Sequence, residues 1–353
     1  MDKVRIGIIG TGGISHLHAG AYKRLSNVEM VAACDINEPR VKVFAEKYGV
    51  PDTYTDYKDL LARDDIDAVS ICTWNNGHAP IAIDALKAGK QVLTEKPPAM
   101  NTAEAQAMAD AAMATGNLLM VGFVRRFGVN TTIFKDFIDN GYMGDIYYAK
   151  TGCIRRVGNP LGWFADKKRS GGGPLIDLGV HMIDLVRYLM GKPLATTVSG
   201  ATFSKIGPRT NVKGIGRYVA ADADGKCDVE DMATAMIRFD NGAVLFVETS
   251  FSQHIKQEVL SLEMYGSKAG AKMEPKLEFN SEMNNYLVDM NPVYSEPSDT
   301  FSANFNKEIA HFIDCVQNGT KCMNPIEDGV ELMRILDAVY ESAATGKEVT
   351  IKR

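Results

Sequence analysis

A short apolar run, Val4 to Ile9, passes directly into Gly10-Thr11-Gly12-Gly13-Ile14-Ser15. No other stretch of the chain restricts the fold as much. The run reads as a buried strand, the glycines permit a tight turn, and backbone amides at the start of a following helix can meet a pyrophosphate. Serine stands at the third small position, where Gly or Ala is usual, and is still small enough for close packing. Val28 to Cys34 reads as a second strand and ends in Asp35, near the roughly twenty-residue spacing at which an acid binds the adenosine ribose hydroxyls. A carboxylate there repels a 2′-phosphate, so NAD is expected in preference to NADP. Gly10, Gly12, Gly13, Ile14 and Asp35 are the first cofactor-site candidates.

Strand and helix signals alternate up to about residue 125. A helical stretch from Pro39 to Tyr48 precedes a strand from Ile66 to Cys72. Then come a helix from Ala79 to Ala88, a strand from Gln91 to Thr94, a helix from Ala103 to Thr115 and a strand from Leu118 to Phe123. This order predicts a doubly wound parallel sheet, whose ligands lie at the carboxyl ends of strands. Two such ends are therefore candidate sites: Thr73-Trp74-Asn75-Asn76-Gly77-His78 and Glu95-Lys96-Pro97-Pro98.

From Ile146 the period changes. Strands are expected at Ile146 to Ile154, Ala195 to Phe203, Met232 to Phe239, Ala243 to Ser252 and Glu258 to Tyr265, in antiparallel order, with a hairpin turn at Asn241-Gly242. Asn304 to Gln317 and Glu327 to Ala344 read as closing helices. Lys205 to Asp228 and Glu274 to Ser302 read as long irregular segments, which in compact domains often serve as lids or oligomer contacts. The expected fold is α/β: a Rossmann domain over 1–125, then an α+β domain over 126–353 with a large open, mainly antiparallel sheet and a C-terminal helix packing back.

Composition narrows the partners. A chain of 353 residues exceeds what one core usually organises. A net charge of −5 without a long basic run argues against nucleic acid or an anionic membrane as partner. Apolar stretches are strand-sized, and the first strand starts too early to leave room for a signal peptide, so a cytoplasmic location is expected. The six cysteines show no CxxC spacing and read as reduced thiols, several of them in strands. His16-x-His18 lacks a third ligand at suitable spacing, so no metal is expected.

The segment Gly171-Gly172-Gly173-Pro174-Leu175-Ile176-Asp177-Leu178-Gly179-Val180-His181-Met182-Ile183-Asp184 carries the chemistry. Pro174 suits a first helical turn after a flexible glycine run, and helical spacing predicts that Asp177, His181 and Asp184 project together. Leu178, Met182, Leu185 and Leu189 supply the buried face. A His beside an acid exchanges protons near neutral pH, although a solvated surface pair has the same spacing. Just upstream, Arg155-Arg156-Val157-Gly158-Asn159-Pro160-Leu161-Gly162-Trp163 combines arginine, asparagine and a flat indole. Such a surface suits a polyhydroxylated ring; a loop pinned by a buried Trp163 is the structural alternative.

Taken together, Gly10-x-Gly12-Gly13, Asp35, Thr73-x-Asn75-x-x-His78, Glu95-Lys96-Pro97, Gly122-Phe123-x-Arg125-Arg126-Phe127, the 171–184 segment and Tyr340-x-Ser342-Ala343-x-x-Gly346 resemble the Gfo/Idh/MocA oxidoreductases over essentially the whole chain. The resemblance implies a nicotinamide site between two domains. It implies Lys96 as the central catalytic lysine, donating to the reacting oxygen, with Pro97 after a cis bond. It further implies His181 as general acid/base with Asp177 orienting it or binding the substrate hydroxyl, two roles that can be exchanged, and Asp184 as support. Thr73, Asn75, His78 and Glu95 would line the cofactor, Arg125 would touch cofactor or substrate, and Arg126 would be structural. Trp163 would join the active site, with Arg156 and Asn159 on the substrate. Val124 replaces a residue that is polar in many relatives, which removes one hydrogen bond.

The function implied is an NAD-dependent oxidoreductase acting on a secondary hydroxyl or ketone of a sugar, glycoside or cyclitol, with the C3 hydroxyl of a glucoside as one candidate. Two alternatives stay open on sequence: a sugar lyase or hydrolase that oxidises its substrate transiently, and a non-catalytic NAD-binding regulator. Homodimers or homotetramers through the C-terminal sheet are expected.

Overall fold

The computed structural model describes residues 3–214, 216–274, 276–294 and 301–353. In chain order the first elements are β1 (Val4–Ile9), α1 (Ser15–Tyr22), β2 (Val28–Cys34), α2 (Glu38–Tyr48), β3 (Asp52–Tyr54), α3 (Tyr57–Leu61), β4 (Ala68–Ile71), α4 (Asn75–Lys87), β5 (Gln91–Thr94), α5 (Thr102–Thr115) and β6 (Leu119–Val121). There follow α6 (Val129–Asp139), β7 (Ile146–Ile154), α7 (Lys167–Ser170), α8 (Val180–Leu189), β8 (Ala195–Phe203), β9 (Met232–Phe239), β10 (Val244–Ser250) and β11 (Val259–Gly266). The last are β12 (Ala269–Glu274), β13 (Glu278–Met283), β14 (Tyr286–Met290), α9 (Phe301–Asn318), α10 (Ile326–Thr345) and β15 (Val349–Thr350). Two compact units result, Met1–Phe127 with Thr300–Val330, and Gly128–Asp299 with Glu331–Arg353. No helix among the described residues is long and apolar enough to cross a membrane.

The first unit holds a six-stranded sheet in the order β3-β2-β1-β4-β5-β6, with every pair parallel. Strand order reverses between β1 and β4, the switch point where dinucleotides bind in such sheets. Its central strands are near-continuous apolar runs because helices cover both faces: Ile6, Ile8, Ala68, Val69 and Leu93 are fully buried. The helices start and stop at residues suited to it. Asn37 caps α2 by accepting from the Arg40 N–H, and Asn101 caps α5 by accepting from the Glu104 N–H. The Glu104 carboxylate reaches back to the Met100 N–H, and Gly49 and Gly116 close the two helices in the left-handed region. Ile309, Phe312 and Ile313 of α9 enter this same core beside Phe44 and Met120.

The second unit is built on a nine-stranded sheet, β14-β13-β12-β11-β7-β10-β9-β8-β15. Eight strand junctions make this order, and one departs from the antiparallel expectation: β10 pairs with β7 in parallel. The chain between them runs through α8 and the β8–β9 pair, long enough to return in the same direction. Gly242 takes φ +84° in the turn joining β9 and β10, and the Asn241 side chain accepts from the Ala243 N–H. Ala233, Ala235, Ile237, Leu245 and Val247 alternate inward.

Glu274 to Ser302 is not irregular throughout, since β13 and β14 form a hairpin within it. Asn284 and Asn285 turn this hairpin at φ +52° and +67°. Both central residues of such a turn need positive φ, which asparagine tolerates, but the pair lacks the Asn-Gly signal that makes these turns visible in sequence. Residues 275 and 295–300 of this segment lie outside the described residues. Residue 215 lies outside the described residues; the rest of the 205–228 segment is irregular as expected, yet it is docked. The Asp231 carboxylate accepts from the N–H groups of Lys205, Ile206 and Gly207. The Ala220 N–H donates to Pro160 O, and the Asp228 N–H to Ala165 O.

Candidate active site

In the first unit, the turn after β1 needs glycine at one position for steric reasons internal to the protein. Gly10 has φ +90°, and a Cβ there would sit 2.6 Å from the Cys72 carbonyl. Gly12 and Gly13 differ, because a Cβ at either would meet nothing within 4 Å. Open space above two glycines at the uncapped start of α1 fits the close approach of a pyrophosphate, whose charge the helix N-terminus favours. Ser15 keeps the turn closed by donating from Oγ to Gly12 O at 2.6 Å.

Asp35 is tied to that turn. Its Oδ2 accepts from both the N–H (2.8 Å) and the hydroxyl (2.9 Å) of Thr11, and its Oδ1 accepts from the Asn37 N–H (2.8 Å). A carboxylate offers about four acceptor sites, so Oδ1 retains acceptor capacity that fits the ribose hydroxyl expected of this acid. Arg40 Nη1 stands 3.7 Å from Oδ2. Asp35→Ser is therefore expected to lower kcat/KM for NAD and raise it for NADP, each by about tenfold. One effect comes from lost ribose hydrogen bonds and the other from lost repulsion of a 2′-phosphate that Arg40 can then face. Steady-state kinetics with both cofactors decide this; an unchanged ratio removes Asp35 from cofactor selection.

The ends of β4 and β5 are joined by His78. Its Nδ1 donates to Pro97 O at 2.7 Å, and its Nε2 lies 3.2 Å from Thr73 O. Burial holds this imidazole below its ordinary pKa despite two carbonyl neighbours, so it is neutral at pH 7. Asn75, also buried, opens α4, which begins at Asn75 instead of Ala79, with Pro80 inside it. The Lys96–Pro97 peptide bond is cis. Lys96 is partly exposed, whereas Thr94, Glu95 and Pro97 around it are buried.

Glu95 faces inward and outward at once. Its Oε2 accepts from the Lys96 N–H at 3.1 Å, and its Oε1 lies 2.9 Å from Nε2 of the fully buried His18. His18 Nδ1 in turn meets Ser70 Oγ (3.3 Å), which bonds the Tyr22 hydroxyl (2.7 Å). Burial pulls the His18 imidazole down, but its Cys72 and Glu95 partners outweigh burial and hold it well above its ordinary value. This buried chain behind Lys96 left no sequence signal beyond His18 itself. His16 points elsewhere, its Nδ1 3.0 Å from the Tyr48 hydroxyl. Arg125 is partly exposed, while Val124 and Arg126 are buried.

In the second unit, the glycine run is packed rather than flexible. Gly171 ends α7 at φ +84°. A Cβ on Gly172 would overlap the Tyr340 hydroxyl, and one on Gly173 would overlap Glu230. Glu230 is the residue that sequence reasoning missed. Its carboxylate accepts from the Gly173 N–H (2.9 Å), the Leu175 N–H (3.2 Å) and the Tyr340 hydroxyl (2.9 Å). Burial, reinforced by Glu230, pushes the Tyr340 hydroxyl well above its ordinary range and keeps it a donor. A buried acid at a helical N-terminus is stabilised by the amides it caps. Its position just before β9 carries no pattern that distinguishes it from an exposed acid.

From the glycine run the chain passes through Pro174 into a π-helical turn, Leu175–Gly179, before α8. α8 is buried on nearly every side, so the expected shared face does not extend to Asp184, which is 2% exposed. Of residues 172–187, all of them described, Asp177 and His181 alone are partly exposed. Leu178, Met182, Leu185 and Leu189 are buried as expected.

Upstream, Trp163 packs against Phe164 in a tilted arrangement with ring centroids 3.8 Å apart and is partly exposed. Asn159 is buried, and its Oδ1 accepts from the Leu161 N–H at 2.6 Å, so part of its polar edge shapes its own turn. The Arg156 guanidinium is held by Lys256 O, and Arg156 O accepts from Arg209 Nη1 at 2.7 Å. Asp222 of the 205–228 segment accepts from the Trp163 N–H (3.4 Å) and pairs with Arg169.

Residues 4–123 match the family described as "Oxidoreductase family, NAD-binding Rossmann fold", and residues 135–351 match "Oxidoreductase family, C-terminal alpha/beta domain". D-glucoside 3-dehydrogenase of Escherichia coli K12 is 33% identical over 352 residues, 99% of this chain and 97% of that protein. Myo-inositol 2-dehydrogenase of Thermotoga maritima is 29% identical over 265 residues, 75% and 73% of the two chains. The structure of levoglucosan dehydrogenase in complex with NADH superposes with a TM-score of 0.87 at 25% identity, covering 100% of both chains. The chain therefore belongs to the Gfo/Idh/MocA oxidoreductases, joining the family's NAD-binding Rossmann fold to its C-terminal alpha/beta domain.

Proposed function

We propose that the protein is an NAD-dependent dehydrogenase that moves hydride between nicotinamide and a secondary hydroxyl, or the matching ketone, of a sugar, glycoside or cyclitol. The observation that carries the reading is the exposure of Asp177 and His181 alone on an otherwise buried segment whose backbone Glu230 and Tyr340 hold in place. When bound, NAD supplies the hydride acceptor. Gly12, Gly13 and Asp35 hold its pyrophosphate and adenosine ribose, and Thr73, Asn75, His78 and Glu95 line its nicotinamide half. The Lys96 ammonium donates to the reacting oxygen and stabilises alkoxide character as hydride leaves. His181 removes the hydroxyl proton, with Asp177 orienting it. Arg125, Arg156, Asn159 and Trp163 shape the substrate end.

Within that class, the C3 hydroxyl of a glucoside is our specific proposal, supported by the full-length likeness to a D-glucoside 3-dehydrogenase. The test is NADH absorbance with purified protein, excess NAD and a panel of alkyl and aryl glucosides, free sugars, inositols and anhydrosugars. Many equivalents of NADH with glucosides, and a 3-keto product by NMR, are expected. Turnover with inositols alone rejects the glucoside but keeps the dehydrogenase. A rise limited to one equivalent per chain replaces dehydrogenation with transient oxidation on a retained cofactor.

We propose the cytoplasm as the site of the reaction, a reading supported by six cysteines without disulfide-like spacing. We further propose that the outer face of the nine-stranded sheet pairs with a second copy. Phe246 on that face is 43% exposed, and Tyr148 and Tyr265 stack beside it with centroids 5.5 Å apart. An apolar, aromatic patch of this kind is characteristic of interfaces. Light scattering is expected to give a mass of two or more chains, lowered by Phe246→Glu; a monomer in both cases refutes the pairing.

A further inference from the structure

The cysteines and histidines show no ligand spacing along the chain, yet the first unit gathers three of them. His311 and Cys315 lie one helical turn apart on α9, and Cys322 returns to them after Gly319 ends the helix at φ +66°. One ligand atom from each lies within 4.8 Å of the other two. Cys315 is buried, His311 and Cys322 are partly exposed, and neither cysteine is in a disulfide.

We propose that His311, Cys315 and Cys322 form a binding site for a thiophilic divalent cation, Zn²⁺ in particular, that clamps the end of α9 to the 322–325 segment. The spacing is near that of a coordinated set. Tetrahedral zinc with Zn–S near 2.3 Å and Zn–N near 2.0 Å separates N and S ligands by about 3.6 Å. His311 Nε2 and Cys315 Sγ are 3.4 Å apart. Two sulfurs and one imidazole select zinc over magnesium, calcium or manganese, which favour oxygen. Three protein ligands leave a fourth position for water.

The limb that carries Cys322 is already positioned. The Met323 N–H donates to His311 Nε2 at 2.9 Å, and Met323 O accepts from Arg126 Nη1 at 2.7 Å. Arg126 is fixed by Asp328 at 2.8 Å. Coordination through Nε2 exchanges the Met323 hydrogen bond for a metal bond, a small loss beside two thiolate bonds to zinc. The segment beyond supports the sheet: the Val121 N–H donates to Asn324 O at 2.9 Å, and Pro325 bridges Met120 of β6. A cation here would cover the β6 edge with a cross-linked segment. The proposal does not depend on the assigned reaction.

The experiment takes the full chain, reduced with a phosphine and stripped with a chelator. It titrates Zn²⁺ alone against a chromophoric competitor, and Co²⁺ by absorbance. One equivalent per chain, a sulfur-to-cobalt charge-transfer band and a thermal midpoint raised by Zn²⁺ are expected. Cys322→Ser and His311→Gln, both at partly exposed positions, should each weaken Zn²⁺ binding by about 100-fold or more, with NAD binding retained as evidence of folding. Cys153→Ser and Cys227→Ser should keep the full equivalent. The proposal is overturned by substoichiometric binding to the reduced wild type, or by a full equivalent that survives both ligand substitutions. It is equally overturned if the pair is recovered as a Cys315–Cys322 disulfide in a chain that takes up no Zn²⁺ once reduced.

Discussion

Lys96→Met is expected to reduce kcat by about 10²–10³-fold while NAD affinity stays within about twofold. That is the typical cost of removing one donor that meets developing charge on oxygen. The fold gives a reason for the selective effect. Lys96 follows β5, its own N–H is held by Glu95, and Glu95 is braced by buried His18, so the backbone at this position survives loss of the ammonium. Methionine keeps the length of the stem without charge or donors. Lys96→Arg should not rescue turnover, because the planar guanidinium presents its donors at a different place from the compact ammonium. Single-turnover NADH formation and NAD titration by fluorescence separate the two quantities. Full activity in a Lys96→Met variant that binds NAD normally would falsify the catalytic assignment.

The largest effect on stability is expected at Arg126. Its side chain is fully buried, pairs with Asp328 at 2.8 Å, donates to Met323 O and lies 5.0 Å over the Phe123 ring. Breaking a buried pair from one side leaves an uncompensated charge and costs about 3–5 kcal/mol, whereas the intact pair is worth far less against an apolar substitute. Arg126→Met should therefore lower the thermal midpoint by roughly 6 °C or more, at about 2–4 °C per kcal/mol for a domain of this size. Adding Asp328→Leu should restore most of the loss, since neither member of the pair then leaves its charge buried. A midpoint shift below about 2 °C for the single variant, or no recovery in the double variant, would mean that the pair is not the connection holding the 323–328 segment to its unit.

Both residues sit in motifs that were legible in the sequence, and the reasons differ from element to element. The fingerprint loop was readable because strand, turn and helix are local and the glycines follow from backbone geometry. Asp35 was readable because a fixed spacing places it at the end of β2. The β13–β14 hairpin was not, because two asparagines supply positive φ where no Asn-Gly marks the turn. The parallel pairing of β7 and β10 escaped as well, since direction depends on the path of the intervening chain and not on either strand's own residues.

The sequence by itself determined the class of the sheet, the nucleotide turn and the residue types available for chemistry, all of which rest on short-range periodicity and sterics. Only the tertiary structure decided which polar residues are held and by whom. It buried Asp184 within α8, turned a run of glycines into a packed seat against Tyr340 and Glu230, and drew His311, Cys315 and Cys322 together. Those outcomes depend on long-range packing, in which the partner of each group is chosen by where the whole chain returns, and that information is not carried by the spacing of neighbours.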